Sequence, residues 1–235
     1  VFLIGAGFSK SSGIPLAGAL IQEIKEQYPQ AYVRAKKQNN HSNYNSVMAQ
    51  LTPSQRTKLL NKYIEKARVN WAHLALAQMF KNDYIDRILT VNFDPLIVHA
   101  CAMTNRFPAI YDLATSSEFK NHRVAPKSVF FLNGQHTGFV TLNAESELDK
   151  HRQRLRAIVQ STGVKRTWVI VGYSGDADPL LDILAEQPCF DGGLFWVGYD
   201  KTPSPDVKNK LLDDEKEAFF ISNQDADKFM TELAQ

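Results

Sequence analysis

The sequence predicts an α/β fold built on a doubly wound, mostly parallel sheet with helices on both faces. The first observation is that short apolar segments alternate with helical patterns along most of the chain, as they do where a buried parallel sheet forms. The second is the start of the chain, where a strand of buried type is followed by a glycine turn at Gly5 and Gly7. The predicted strands are 1–4, 85–91, 109–111, 129–132, 168–171, 194–197 and 218–221. The predicted helices are 16–28, 53–67, 71–80, 95–103, 148–159, 180–185, 207–212 and 225–233.

A long stretch between the first two predicted strands, residues 29–82, is interpreted as a helical insertion within a single domain, 1–235. Its first part, residues 29–52, is polar with scattered aromatic residues and predicts a mobile loop. Helical patterns then begin at Pro53 and Trp71. The sequence shows no obvious second core here. We expect the insertion to cover one side of the ligand cleft, with a contact to a second subunit and a lid without partners as open alternatives.

Charge and composition exclude several functional classes. The 27 basic and 25 acidic residues nearly balance, and no predicted element concentrates basic residues, so a nucleic-acid surface is not expected. No apolar run approaches the ~20 residues of a membrane span, no signal peptide is visible, and Val1 is not an initiator residue, which fits a trimmed start. Only Cys101 and Cys189 are present, so we expect reduced packing thiols in a cytoplasmic protein.

The glycines at the end of the first strand predict a phosphate site. The missing side chains of Gly5 and Gly7 would let a pyrophosphate approach, and N–H groups at the start of the next helix would face it. The usual dinucleotide fingerprint has a third glycine where this chain has Lys10, and the next glycine is Gly13. The spacing alone therefore leaves nucleotide binding undecided.

Polar residues follow the ends of several further strands or open the last helix, and ligands of parallel sheets bind at this edge. Asn92 and Asp94 follow the second strand, and capping of the helix that contains Pro95 is an alternative role for both. Capping explains Asp225 as well as ligand binding does. The other polar or glycine residues at these ends are Asn133, His136, Gly172, Tyr173, Ser174, Asp178, Gly198, Tyr199 and Asp227.

Taken in order, these motifs resemble those of sirtuin-type domains. The stretch 5–15 is similar to the Gly-Ala-Gly-x-Ser and Ser-Gly-Ile-Pro that open such domains. The stretch 90–94 is similar to the Thr-x-Asn-Phe/Tyr-Asp of SIR2-like domains in bacterial anti-phage defence proteins, and 172–174 with the later Asp178-Pro179 follows the same group. The resemblance covers essentially the whole chain apart from the insertion and implies a Rossmann-like, sirtuin-type fold.

The resemblance implies that NAD is the substrate and gives roles to the residues at the strand ends. Asn92 would lie against the nicotinamide ribose and orient the attacking group, with Asp94 beside it. We expect the insertion to lie on the nicotinamide side. The implied NAD contacts are Gly5, Ala6, Gly7, Phe8, Ser9, Ile14, Pro15, Asn92, Asp94, Gly172, Tyr173, Ser174, Asp178, Gly198, Tyr199 and Asp225.

Asn133 departs from the family pattern, because it stands where sirtuins have the histidine that holds the ribose hydroxyls and serves as the base. An asparagine holds a hydroxyl but does not accept its proton near neutral pH. Three interpretations stay open: His136 reaches in as the base, the chain is inactive by nature, or the residue was changed to trap a ligand. The alternative role for His136 is that of an ordinary loop histidine.

The implied function is an NAD+ glycohydrolase that releases nicotinamide and ADP-ribose, acting in anti-phage defence by NAD depletion. Two cysteines cannot supply the four-cysteine zinc module of sirtuin deacylases, so protein deacylation is disfavoured and no metal is expected. Control by a homo-oligomer or by a regulatory domain or partner is also implied. The main alternative is a non-catalytic NAD or ADP-ribose sensor that gates a partner, and a hydride-transferring dehydrogenase is a further one.

Overall fold

The structure, a computed structural model, describes residues 1–38, 41–114, 124–135, 145–163, 165–175 and 179–235. Its strands are β1 (Phe2–Ile4), β2 (Arg87–Thr90), β3 (Ala109–Asp112), β4 (Ser128–Phe131), β5 (Trp168–Val171), β6 (Leu194–Val197) and β7 (Ala218–Ile221). They form one sheet in the order β3-β4-β2-β1-β5-β6-β7, and each neighbouring pair is parallel. The predicted doubly wound α/β fold is therefore confirmed.

Helices connect the strands on both faces of the sheet. They are α1 (Ala17–Gln27), α2 (Pro29–Lys37), α3 (Tyr44–Ala49), α4 (Pro53–Ile64), α5 (Trp71–Lys81), α6 (Leu96–Met103), α7 (Glu145–Gly163), α8 (Pro179–Ala185), α9 (Pro205–Lys210) and α10 (Ala226–Leu233). A 3₁₀ turn at Ala6–Ser9 directly follows β1. Within the described part of the chain, no helix is long and apolar enough to cross a membrane.

Alternate residues of the central strands pack on opposite faces of the sheet, as the two-residue period of a strand requires. Leu3 and Leu89 are fully buried in a cluster that includes residues of α7 and α8. Ile4 and Ile88 are buried in a second cluster with residues of α5, α6 and α10. Burial on both faces explains why these strands are almost continuously apolar.

The prediction of a mobile loop over 29–52 is wrong, because α2 and α3 lie there. Pro29 is favoured in the first turn of α2, since its ring fixes φ and its missing N–H needs no partner there. The buried residues of α2 are Ala31 and Ala35, one turn apart. Asn43 begins α3 by accepting a backbone N–H of the first turn. Small alanines among polar residues make a weak helical pattern, which is why the sequence did not indicate these helices.

The expectation that residues 29–82 lack a second core is also wrong. Helices α1 to α4 enclose a third apolar cluster, separate from the two that lie on the sheet. Its fully buried members include Ile24 of α1, Met48 of α3 and Leu60 of α4. The last helix of the stretch, α5, instead packs on the sheet through Leu76 and other residues. Helices α1 to α4 are called the helical module below.

The carboxyl ends of five strands lie side by side. Ile4 at the end of β1 pairs with Thr90 in β2 and with Val171 in β5. Thr90 pairs in turn with Phe131, and Val171 pairs with Val197. The residues that follow these five positions therefore emerge in one row. The chain winds to one side of β1 through β2 and to the other through β5, and ligands bind at such a switch point.

Candidate functional site

A cavity of about 950 Å³ lies over this row of strand ends. The loops after β1, β2, β4, β5 and β6 line it, together with one side of α1, the start of α10 and residues 42–45 at the start of α3. The predicted site residues that it brings together are Ala6, Gly7, Ile14, Pro15, Asn92, Asp94, Asn133, Gly172, Tyr173, Ser174, Gly198, Tyr199 and Asp225. Most of the residues proposed from the strand-end motifs therefore face one common space.

The remaining predicted residues lie elsewhere. Gly5, Phe8 and Ser9 are buried behind the cavity wall rather than in its lining. Phe8 packs edge-on against the ring of a buried histidine, His73 of α5. His136 and Asp178 lie outside the described residues.

The glycines after β1 and β5 allow two loops to touch. A Cβ on Gly5 would lie 2.7 Å from the Gly172 oxygen, and one on Gly7 would lie 2.9 Å from the Gly172 Cα. Gly172 itself has φ of +70°, and a Cβ there would lie 2.3 Å from the Phe8 nitrogen. The Gly5 N–H donates to the Val171 oxygen (3.1 Å) and the Gly7 N–H to the Gly172 oxygen (2.8 Å). These glycines are therefore required for close packing of the two loops, a reason that the sequence did not reveal. The backbone N–H groups of Gly5 and Gly7 already make hydrogen bonds within the protein.

Asn92 is buried in the cavity wall and held by three hydrogen bonds. Its backbone N–H donates to Thr90 Oγ1 at 3.0 Å. Its side-chain Nδ2 donates to the Gly5 oxygen at 3.0 Å and to Ser9 Oγ at 3.1 Å. A backbone carbonyl only accepts, so it fixes which end of the amide is nitrogen. Both amide hydrogens are used, and Oδ1 is the atom left to accept a hydrogen bond from a ligand.

Asp94 has the capping role that the sequence left as an alternative. Its Oδ1 accepts the backbone N–H of Leu96 at 3.1 Å, at the start of α6, where a negative charge is favoured by the helix dipole. The side chain is only 3% exposed and also lines the cavity. Asp94 therefore adds a carboxylate close to Asn92 in the chain while it stabilises the helix that follows.

Asn133 emerges beside Asn92, because β4 and β2 are paired in register and each asparagine follows its strand by two residues. The loop that carries Asn133 is held from the neighbouring strand end. Oδ2 of Asp112, the last residue of β3, accepts the backbone N–H of Gln135 at 3.1 Å. No motif in the sequence indicates Asp112, which fixes this loop without lining the cavity.

Solved Sir2 structures share this fold over its whole length. A histidine-to-asparagine mutant of a Sir2 homologue in complex with ADP-ribose is 17% identical with a TM-score of 0.60, over 100% of this chain and 89% of that one. A Sir2 homologue–NAD complex is 16% identical with a TM-score of 0.53, over 100% and 87%. This chain has the Sir2 fold. No protein-family model and no curated protein matches the sequence.

On this Sir2 fold, Lys10 is the only Lys, Arg or His among the described residues that line the cavity. Its Nζ lies 5.4 Å from the centroid of the Tyr199 ring, and that tyrosine is 71% exposed. The acidic residues of the lining are Asp94, Asp200, Asp225 and Asp227. In the glycine fingerprint, Lys10 is only a break in the spacing. The sequence signal for its role here is a basic residue inside a predicted phosphate turn.

The two aspartates at the start of α10 make hydrogen bonds within the protein. Asp225 Oδ1 accepts the Lys228 backbone N–H at 3.1 Å, so its capping alternative is confirmed. Asp227 Oδ2 accepts from Ser11 Oγ at 2.5 Å, and its Oδ1 accepts the Ala72 backbone N–H at 2.7 Å. Asp227 thereby ties α10 to the loop after β1 and to α5.

The helical module reaches the cavity through α1 and through residues 42–45, which belong to the insertion. The Tyr44 hydroxyl there is buried and has no hydrogen-bond partner among the described residues, and burial raises the pKa of the phenol. A buried hydroxyl without a partner costs about 1–3 kcal/mol. The placement agrees with the expectation that the insertion covers one side of the cleft.

Proposed function

We propose that this chain binds NAD+ in the cavity and hydrolyses the bond between nicotinamide and ribose, releasing nicotinamide and ADP-ribose. The observation that carries the proposal is the geometry of Asn92. Its amide is fixed from behind by the Gly5 oxygen and Ser9 Oγ, which leaves Oδ1 for a ligand. The resemblance to the sirtuin-type motif implies that this residue lies against the nicotinamide ribose, where the reaction takes place. Sir2 structures of the same fold hold NAD or ADP-ribose, which supports a dinucleotide here.

The row of strand ends gives NAD+ an orientation. We place the pyrophosphate over the loop after β1, where the ammonium of Lys10 would offset its negative charge. The nicotinamide ribose then lies toward Asn92 and Asn133, and the adenosine lies toward Gly172 and Gly198. From β4 to β6 there are four inter-strand steps of about 4.8 Å, about 19 Å in all. The lining thus offers an elongated site for an elongated ligand.

The reaction breaks the bond from the ribose anomeric carbon to the ring nitrogen of nicotinamide. The bonding electron pair goes to that nitrogen and neutralises the pyridinium, so the leaving group needs no acid. The sugar passes through an oxocarbenium-like state, as in glycoside hydrolysis. Asn92 Oδ1 would accept a hydrogen bond from the attacking water and direct its oxygen at the anomeric carbon. The Asp94 carboxylate would favour the developing positive charge. The water oxygen bonds to the anomeric carbon, and the proton that it then loses goes to solvent, which leaves the hydroxyl of ADP-ribose.

Asn133 decides how fast that reaction proceeds. An amide holds a ribose hydroxyl but does not take up a proton near neutral pH, so we expect slow turnover. The same observation favours a second candidate function, a non-catalytic sensor that binds NAD or ADP-ribose and gates a partner. The two functions differ in one result: only the enzyme releases nicotinamide.

The experiment that tests the site is calorimetric titration of NAD+ and of ADP-ribose. We expect the Lys10→Met chain to bind both about tenfold more weakly, because a hydrogen bond to a charged group contributes about 1.5 kcal/mol or more. Lys25→Met is the matched control, because Lys25 also lies over a tyrosine ring, 5.7 Å from the Tyr32 centroid, but outside the cavity lining. Equal affinities in the two variants would contradict this placement of the pyrophosphate.

The biological setting is part of the proposal and rests on the sequence resemblance alone. We propose a cytoplasmic anti-phage defence role by NAD depletion, controlled by self-association or by a regulatory partner. If protein deacylation were the activity instead, an acetyl-lysine peptide would accelerate nicotinamide release and lose its acetyl group. We expect the peptide to have no effect on release.

A further inference from the structure

A chain of hydrogen bonds runs behind Asn92, away from the cavity. Ser9 Oγ, which accepts from Asn92 Nδ2, lies 3.5 Å from Nε2 of His73 on α5. Nδ1 of His73 lies 2.5 Å from Oδ1 of Asn70, the residue that caps α5. Asn70 Nδ2 donates onward to Ser11 Oγ at 2.8 Å. Ser9 and His73 are completely buried.

Backbone groups fix the direction of every bond in this chain. The His73 backbone N–H donates to Asn70 Oδ1 (2.9 Å), and Asn70 Nδ2 donates to the Phe8 backbone oxygen (2.7 Å). The amide of Asn70 therefore has one orientation, and its oxygen faces His73 Nδ1. Because that oxygen only accepts, Nδ1 carries the imidazole hydrogen and Nε2 is the acceptor. The Ser9 hydroxyl then donates to His73, which leaves its lone pairs for Asn92 Nδ2.

We propose that His73 is a positioning residue, which acts through Ser9 to keep the nitrogen of the Asn92 amide turned away from the cavity and its oxygen turned toward it. This inference rests on the proposed function for its consequence in catalysis. Without an acceptor at Nε2, the Ser9 hydroxyl is free to rotate and donate to the Asn92 oxygen. The Gly5 oxygen, which accepts from Nδ2, would then be the remaining group that opposes the flipped amide. A flipped amide presents N–H groups to the attacking water in place of an acceptor.

The order Ser9, His73, Asn70 is that of a nucleophile, a base and an orienting residue, yet the burial of the three argues against that chemistry. A nucleophilic serine must meet its substrate, and Ser9 is 0% exposed and absent from the cavity lining. Its hydroxyl is enclosed between the amide of Asn92 and the imidazole of His73. The arrangement therefore acts on the orientation of Asn92 and on no substrate atom.

The first test needs no activity. A long-range proton–nitrogen correlation spectrum of the unaltered chain at pH 7 should show His73 as the Nδ1–H tautomer, whereas a free neutral imidazole favours Nε2–H. The side-chain amide hydrogens of Asn92 should exchange slowly with solvent, since both are bonded inside the protein. An Nε2–H tautomer with rapidly exchanging Asn92 hydrogens would overturn the inference.

The second test separates positioning from folding with two neutral variants in the Asn133→His chain. In His73→Gln, the amide oxygen can lie near the position of Nε2 and accept a hydrogen bond from Ser9. In His73→Asn, the shorter side chain reaches only to the position of Nδ1. We expect His73→Asn to lower kcat for nicotinamide release about 10- to 100-fold, the cost of a misplaced group, with KM near that of its parent. His73→Gln should recover most of the loss. Equal kcat in both variants, or a change confined to KM, would overturn the role.

Failure of the proposed function has a separate signature. If no chain, including Asn133→His, binds NAD+ or releases nicotinamide, the proposed function is wrong. The spectrum of the unaltered chain still decides whether His73 holds the Asn92 amide.

Discussion

Lowering the pH from 7 to 5 should destabilise the folded chain through His73, which is buried in its neutral form. Burial lowers the pKa of His73 from 6.5 to about 3. Below pH 6.5 the unfolded chain binds a proton at this residue that the folded chain does not bind. The free energy of unfolding therefore falls as the pH falls. The stabilisation is fully present above pH 6.5 and is lost progressively between pH 6.5 and about 3.

The magnitude follows from the two pKa values. The interval from 6.5 to about 3 corresponds to about 5 kcal/mol, of which about 2 kcal/mol is lost by pH 5. His151, whose pKa is lowered to about 4 by burial and by Arg154, adds a loss of the same order and sign. Carboxylates contribute further losses at lower pH, so a variant comparison must isolate the effect of His73.

The assay is urea unfolding at pH 7, 6 and 5 for the parent, His73→Gln and His99→Gln. His73→Gln removes the titrating ring and should lose about 2 kcal/mol less than the parent between pH 7 and 5. His99 lies exposed on α6, so His99→Gln is the matched control for the loss of a histidine. Parallel pH profiles for the parent and His73→Gln would refute the account of a buried neutral imidazole.

Two further predictions concern the cavity wall. Gly172→Ala should lower the free energy of unfolding by several kcal/mol, because its Cβ would lie 2.3 Å from the Phe8 nitrogen. Gly18→Ala should raise it by about 1 kcal/mol, because Gly18 is helical and a Cβ there has nothing within 4 Å. Urea unfolding measures both changes. Equal free energies of unfolding for the two variants would contradict the close contact between the loops after β1 and β5. Tyr44→Phe should leave the free energy of unfolding unchanged or raise it, because it removes a buried hydroxyl without a partner among the described residues; a loss above ~1 kcal/mol would mean that the hydroxyl is bonded.

The sheet was predictable from the sequence because its strands are apolar on both faces. The segments 168–171, 194–197 and 218–221 were predicted with the bounds that the structure shows. Such a strand can be predicted from a run of β-branched and aromatic residues between turn signals, which is a local pattern in the sequence. The row of polar residues at the strand ends followed from the rule that parallel strands share one binding edge.

The contacts that hold the site could not be predicted, because they join residues far apart in the chain. Asn92 is held by Ser9, and Ser9 by His73, and no local pattern indicates either pair. The sequence explained Gly7 by space for a phosphate, whereas a Cβ there would lie 2.9 Å from the Gly172 Cα. A Gly7→Val change therefore tests the fold as much as the ligand, which makes Lys10 the better probe of binding.

In the proposed reaction, Asn92 directs water at the anomeric carbon of NAD+ and Asn133 limits the rate. Both roles are tested by measuring nicotinamide release from NAD+ by the parent, by Asn133→His and by Asn133→His with Asn92→Ala. A histidine titrates near pH ~6.5 and general-base help contributes roughly 100- to 10,000-fold. We expect Asn133→His to raise release by a factor in that range, with activity lost on acidification through the pKa of that histidine. Asn92→Ala should abolish the gain. If Asn133→His releases no more nicotinamide than the parent, Asn133 does not limit the rate, and if the gain survives Asn92→Ala, Asn92 does not direct the water.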